Sequence, residues 1–195
     1  MKPVGSFGKF GAFSFYPTKN MTIGEGGMIS TSDADFARTC RLLRSQGMEQ
    51  RYIHEIVGLN ERMTEVEAAI GRVQLGRIHD WTETRIANAA KLTAALSGVV
   101  GTPQTAPGAK HVFHQYTIAT DRRDEVEQVL AAAEIGYGVY YPEGTHLQAP
   151  YRDGDHAHLP VTDRVTKQVL SIPTRPDLEE SELEFVIETV AGVFR

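Results

Sequence analysis

Lys19 leaves the run Phe13-Ser14-Phe15-Tyr16-Pro17-Thr18 and is followed, two residues on, by Thr22-Ile23-Gly24-Glu25-Gly26-Gly27-Met28-Ile29. An apolar extended run stopped by proline, with a lysine at its exit and glycines beyond, suits an amine held against a flat carbonyl compound. An amine withdrawn from water gives up its proton more readily, and the neutral form attacks an aldehyde to form a Schiff base. Ser14 offers a hydroxyl donor to an anionic group such as a phosphate. Gly24, Gly26 and Gly27 let backbone approach a ligand where a Cβ would intrude.

Other chemistry-bearing side chains are weaker candidates. Asp153, Asp155, His156 and His158 cluster in a polar loop whose spacing does not make their ligating atoms converge, so a metal site is rejected. His111 and His114 are an odd number of positions apart on an expected strand and face opposite ways. Cys40 stands beside Leu42 and Leu43 and reads as core, not as a nucleophile. The spacing Gly5-x-x-Gly8-x-x-Gly11 departs from a phosphate-loop pattern and reads as a turn.

The elements that would position Lys19 follow from pattern. Gly11 to Tyr16 reads as a short buried strand that Pro17, lacking a backbone donor, must end. Tyr16 is kept extended by that proline, which brings Lys19 just past the strand. In open α/β sheets ligands bind at such strand ends. A second strand is expected over 27–31 and a helix from the N-cap Asp33 to about Ser45, followed by a loop over 46–63. From Thr64, with Glu67 completing a capping box, apolar spacing predicts one long helix ended by Gly98. Beyond it a compact α+β unit is expected, with strands over 112–119, 139–141 and 169–172. Its helices fall at 124–134 and 181–193, and a long loop spans 142–162.

These segments resemble the DegT/StrS family of sugar aminotransferases, which use pyridoxal phosphate. FSFYPTKN with GEGGMI is similar to the family's lysine segment. Leu42-Leu43-Arg44-Ser45-Gln46-Gly47, Gly58-Leu59-Asn60-Glu61-Arg62-Met63-Thr64-Glu65, and Glu67-Ala68-Ala69-Ile70-Gly71 with Gln74-Leu75 follow in order. Tyr141-Pro142, His146-Leu147-Gln148 and Leu170-Ser171-Ile172-Pro173 extend the likeness to nearly the whole chain.

The resemblance implies an α/β fold: the C-terminal portion of a fold-type-I pyridoxal-phosphate transferase, the end of the large domain plus an α+β small domain. Its parts would be residues 1–63 of the cofactor domain, a linking helix over 64–97 and a small domain over 98–195. It implies that Lys19 binds the cofactor covalently and carries the transferred proton, and that Ser14 binds its phosphate. Asn60 would reach the phosphate in the neighbouring subunit's site. Arg62 would bind a carboxylate or nucleotide phosphate, and Tyr141 and His146 would line the substrate pocket. Gly144-Thr145 stand where the family commonly has proline and leucine, which alters the loop and bears on sugar choice. Glutamate would donate the amine and a nucleotide-linked keto sugar accept it, in a homodimer or in association with an N-terminal half. Dehydratase relatives replace the lysine, whereas Lys19 is intact.

The family's pyridine-nitrogen aspartate, ring-stacking aromatic and first phosphate loop all precede the lysine. Without that aspartate the ring is a poor electron sink, so this chain alone is expected to be a weak catalyst or none. It reads as a split subunit, a truncated gene model or a degraded remnant. The rival reading is a noncatalytic fragment that acts only by association through exposed apolar surface.

Composition bounds the rest. The 195 residues, 41% hydrophobic and 23% charged, can bury a real core. A net charge of −5 argues against nonspecific nucleic-acid binding. No apolar run is long enough to span a bilayer and no leader pattern begins the chain. One cysteine cannot form an internal disulfide, which points to a reducing cytoplasm.

Overall fold

The run of alternating aromatic and small residues near the N-terminus forms strand β1, Phe10–Ser14, and pairs antiparallel with β2, Gly27–Thr31, from Phe10↔Thr31 to Ser14↔Gly27. These belong to a computed structural model that describes residues 2–154 and 158–195. Asp155 and His156 of the rejected metal cluster lie outside the described residues. The chain divides into two compact units, residues 1–80 and 81–195.

In the first unit, helix α1, Ala34–Arg44, starts where Asp33 accepts the Phe36 N–H. That bond, and then Lys9, hold the Asp33 carboxyl below its ordinary range. Helix α2, Glu65–Leu75, opens on the expected capping box: Thr64 accepts from the Glu67 N–H and Glu67 accepts from the Thr64 N–H. Thr64's backbone and hydroxyl donors lower the Glu67 pKa. The predicted long helix breaks after α2, because Gly76, a poor helix former, ends it and the Arg77 N–H turns back to Gln74 O at 2.9 Å. Helix α3, Ile78–Leu96, then begins.

The strand expected to be buried is exposed. In β1 Gly11 alone is buried, because the sheet has two strands and no layer of side chains closes over it: Phe10 stacks on Phe36 and the Phe13 ring lies against Gly5, yet both stay exposed. Gly11 is buried because the Val4–Gly5 turn folds back on it; a Cβ there would lie 2.5 Å from Gly5 O. Cys40 is half-buried rather than core.

The second unit has its own core. Strand β3, Tyr116–Ala119, pairs antiparallel with β4, Val169–Ile172. Around this pair lie α3, α4 (Arg123–Ala132) and α6 (Glu180–Gly192), which bury Leu92, Leu96, Ile118, Leu130, Leu183 and Val190. Fully burying one such side chain contributes about 1.5–3 kcal/mol. The Tyr116 ring is buried, with its hydroxyl 2.7 Å from Thr93 Oγ1.

Three expectations change here. The strand over 112–119 shortens because Phe113 takes φ +43°, outside extended geometry, while its N–H donates to His111 Nδ1. His111 and His114 therefore precede the strand. The strand over 139–141 reduces to one bridge, Gly138↔Ser171, with N–H···O distances of 3.0 and 2.7 Å. The 142–162 loop contains a 3₁₀ turn, Thr145–Leu147, and ends at helix α5, Pro160–Gln168, with Pro160 preset for its first turn. No described helix is long and apolar enough to cross a membrane.

Candidate active site

The chemistry of Lys19 depends on how the 15–26 segment is closed. Tyr16-Pro17-Thr18-Lys19 forms a β-turn in which the Lys19 N–H donates to Tyr16 O at 3.0 Å, with proline at the position its fixed φ favours. The two ends of the segment meet where the Phe15 N–H donates to Gly26 O at 2.8 Å, extending the β1–β2 ladder by one bond. Thr22 braces the interior: its hydroxyl donates to Phe15 O at 2.9 Å and accepts from the Gly24 N–H at 3.0 Å. The Thr22 N–H donates to Gln74 Oε1 at 2.8 Å, which fastens the segment to α2. Beside it Ile23 is buried against Gly71, where a Cβ would lie 3.0 Å from Ile23 Cγ2.

Lys19 is half-buried on this braced loop, and its ammonium makes no ion pair or hydrogen bond among the described residues. The Ser14 Oγ accepts from the Tyr16 N–H at 3.3 Å, which leaves its proton to donate elsewhere. Gly24, at φ +91°, has nothing within 4 Å of where a Cβ would stand. An uncommitted amine, a free hydroxyl proton and open space over a glycine fit the demands of an aldehyde carrying a phosphate.

Asn60 and Arg62 are placed by the end of α1. The Leu59 N–H donates to Leu43 O at 2.6 Å, and the Glu61 N–H to Arg44 O at 2.9 Å. Gly47 and Gly58 let two backbones touch; a Cβ on Gly47 would lie 1.7 Å from Ile56 O. Arg38 pairs with Glu55 and Glu49 at 2.7 and 2.8 Å, tying down the intervening loop, and both carboxylates raise its pKa. Arg62 Nε donates to Asn60 Oδ1 at 3.1 Å, which occupies the amide oxygen and orients the amide, whose nitrogen can only donate. Ser14, Lys19, Asn60 and Arg62 thus all lie in the first unit.

Tyr141 and His146 lie in the second. Tyr141 is exposed, its ring edge-on to Tyr140 at 5.9 Å, in a hollow of about 350 Å³ shared with Gly144 and Val165. His146 opens instead on a hollow of about 600 Å³ with Pro150, Tyr151 and Thr162. Its side chain is only 10% exposed, with Nε2 3.2 Å from Asp163 Oδ1. The unusual Gly144 explains the ring's place, since a Cβ there would lie 2.6 Å from His146 Cε1. Sequence reasoning missed Thr22, Gln74 and Asp163. Asp163 was signalled by the Pro160 start of α5, whereas nothing in the spacing joins Gln74 to Thr22.

Residues 1–191 match the DegT/DnrJ/EryC1/StrS aminotransferase family. The chain is 39% identical to a pleiotropic regulatory protein of Geobacillus stearothermophilus, over 100% of this chain and 54% of that protein. It is 37% identical to a UDP-N-acetyl-3-dehydro-alpha-D-glucosamine 3-aminotransferase of Acidithiobacillus ferrooxidans, over 92% of this chain and 49% of the relative. It is 38% identical to a dTDP-3-amino-3,4,6-trideoxy-alpha-D-glucose transaminase of Streptomyces venezuelae, over 96% and 51%. The crystal structure of S. venezuelae DesV in complex with a ketimine intermediate superposes with a TM-score of 0.94 at 36% identity, covering 100% of this chain and 54% of that one. A DegT DnrJ EryC1 StrS aminotransferase from Brucella abortus gives 0.92 at 32%, covering 97% and 52%. The chain spans about half the length of the curated relatives it matches. Its mixed α/β architecture is that of a fold-type-I transferase portion, and the chain belongs to the DegT/DnrJ/EryC1/StrS aminotransferase family.

Proposed function

We propose that this chain is the lysine-bearing portion of a pyridoxal-phosphate aminotransferase that moves an amino group from glutamate to a nucleotide-linked keto sugar. The observation that carries the reading is Lys19: half-buried, without an ion-pair partner among the described residues, and fixed on a braced loop in a chain of this family. Two relatives bear names of enzymes that act on UDP- and dTDP-linked sugars, which supports the substrate class.

When bound, pyridoxal phosphate supplies a carbonyl that takes up the amino group and a ring that draws electrons from the reacting carbon. Lys19 Nζ anchors that carbonyl and holds the proton moved during transfer. Ser14 donates its hydroxyl proton to the phosphate, and Asn60 donates from its amide to the phosphate of a neighbouring subunit's site. Arg62 keeps that amide oriented and adds positive charge for a carboxylate or phosphate. Tyr141 and His146 contact the sugar nucleotide. On this reading residues 1–63 are the end of a cofactor domain, the protein works as a homodimer or with an N-terminal half, and its place is the cytoplasm.

The test is retention. After incubation with pyridoxal phosphate and removal of excess, the chain is expected to keep the cofactor's absorbance and Lys19→Ala to lose it. Equal retention by the two would exclude Lys19 as anchor.

A second reading, a binding-only chain that acts by association, is favoured by bare apolar surface on the first unit, where Val57 is 93% exposed and Met28 51%. It predicts self-association that rises with concentration, with no cofactor retained by either form.

A further inference from the structure

Among the ties that close the lysine loop, one comes from a side chain 52 positions away. The Thr22 N–H donates to Gln74 Oε1 at 2.8 Å, and both residues are partly buried. The bonds from Thr22 Oγ1 and between the backbones of Phe15, Ile23 and Gly26, by contrast, run within the loop and move with it. Gln74 stands on the last turn of α2, and α2 is held at its start by the Thr64–Glu67 capping box and packed on Ile23 through Gly71. Apolar contact at Ile23 and a directional bond at Thr22 thus both hold the loop to α2. Apolar contact tolerates sliding, whereas a hydrogen bond fixes direction.

We propose that Gln74 is a positioning residue for Lys19: through Thr22 it sets the height at which the lysine loop stands on α2, and so where the Lys19 amine meets an aldehyde. The inference rests on the reading of Lys19 as the cofactor lysine, while the brace itself does not. The working feature is the acceptor oxygen at Oε1. Gln74→Met keeps length and most of the packing but removes the acceptor, and Gln74→Glu keeps the acceptor in place.

The experiment uses the full chain and pyridoxal phosphate, with two readouts. Residue-resolved hydrogen exchange at Thr22, on chains without cofactor, is expected to be about tenfold faster in Gln74→Met and near wild type in Gln74→Glu, the scale of losing one amide hydrogen bond. The initial rate of borohydride-fixed pyridoxyl labelling at Lys19, read by peptide mass, is expected to fall severalfold in Gln74→Met and to recover in Gln74→Glu. Unchanged Thr22 exchange in Gln74→Met would overturn the brace. Faster exchange with unchanged Lys19 labelling would overturn the positioning role. Absence of Lys19 label in the wild type would defeat the reading of Lys19, and Thr22 exchange would still decide the brace independently.

Discussion

The two units are built on different principles. In residues 81–195 thirteen apolar residues, among them Leu92, Ile118 and Leu183, form one buried cluster. In residues 1–80 the apolar side chains buried among the described residues are Ile23 and Leu42, and the other buried positions are Gly11, Gly47 and Gly71, where backbone meets backbone or a packed side chain. The second unit is organised by side-chain volume and the first by close backbone approach and hydrogen bonds. The proposed cofactor residues lie on the first. A surface that must receive a phosphate and an aldehyde needs its donors aimed outward, and a loop braced by hydrogen bonds aims them without a thick core beneath it.

The largest expected effects fall on the second unit's core. Leu92→Ala removes a fully buried side chain and is expected to cost about 3 kcal/mol in urea unfolding followed at Trp81, the chain's single tryptophan. In the first unit Ile29→Ala, at a half-exposed position, is expected to cost under about 0.5 kcal/mol. A large cost at Ile29 would mean that the first unit has an apolar core after all.

Within the first unit the larger costs should fall on glycines. Gly47→Ala places a Cβ 1.7 Å from Ile56 O on a backbone at φ +76°, and about 2 kcal/mol is expected, seen as faster hydrogen exchange over residues 46–58. Gly24→Ala, at φ +91° but in open space, isolates the backbone strain and should cost about 1 kcal/mol. Equal losses at the two sites would show that conformation, rather than close approach, sets the requirement.

The smallest effects are those of pH, and they run in opposite directions. Burial, partly offset by the Thr93 hydrogen bond, raises the Tyr116 pKa above its ordinary value. The stability it contributes is complete below pH about 10 and is lost as pH rises through the folded value. The Phe36 N–H and Lys9 lower Asp33, so its contribution is present above the ordinary carboxylate range and is lost as pH falls through the folded value. Alkaline destabilisation should thus begin around Tyr116 and acid fraying at α1. Stability curves of Tyr116→Phe and Asp33→Asn, each losing one of these slopes, are the check.

Local signals carried much of this into the sequence. Pro17 turning the chain before Lys19, Asp33 capping α1 and the Thr64–Glu67 box each require residues a few positions apart. What stayed hidden depends on distant partners. Gly11 to Tyr16 reads as buried because aromatics alternate with small residues, yet burial needs a covering layer that the pattern does not specify. Val139–Tyr141 has strand composition, but only Gly138 meets Ser171. α5 is polar enough to pass for loop, and the 52-position reach from Gln74 to Thr22 has no periodic trace. The candidate site was legible as residue types; its bracing was not.

Peptide mapping after borohydride reduction in the presence of pyridoxal phosphate tests the central claim most directly. One pyridoxyl group on Lys19, absent from Lys2 and Lys9 on the same unit, is the predicted result. Label spread evenly over exposed lysines, or none on Lys19, would contradict it.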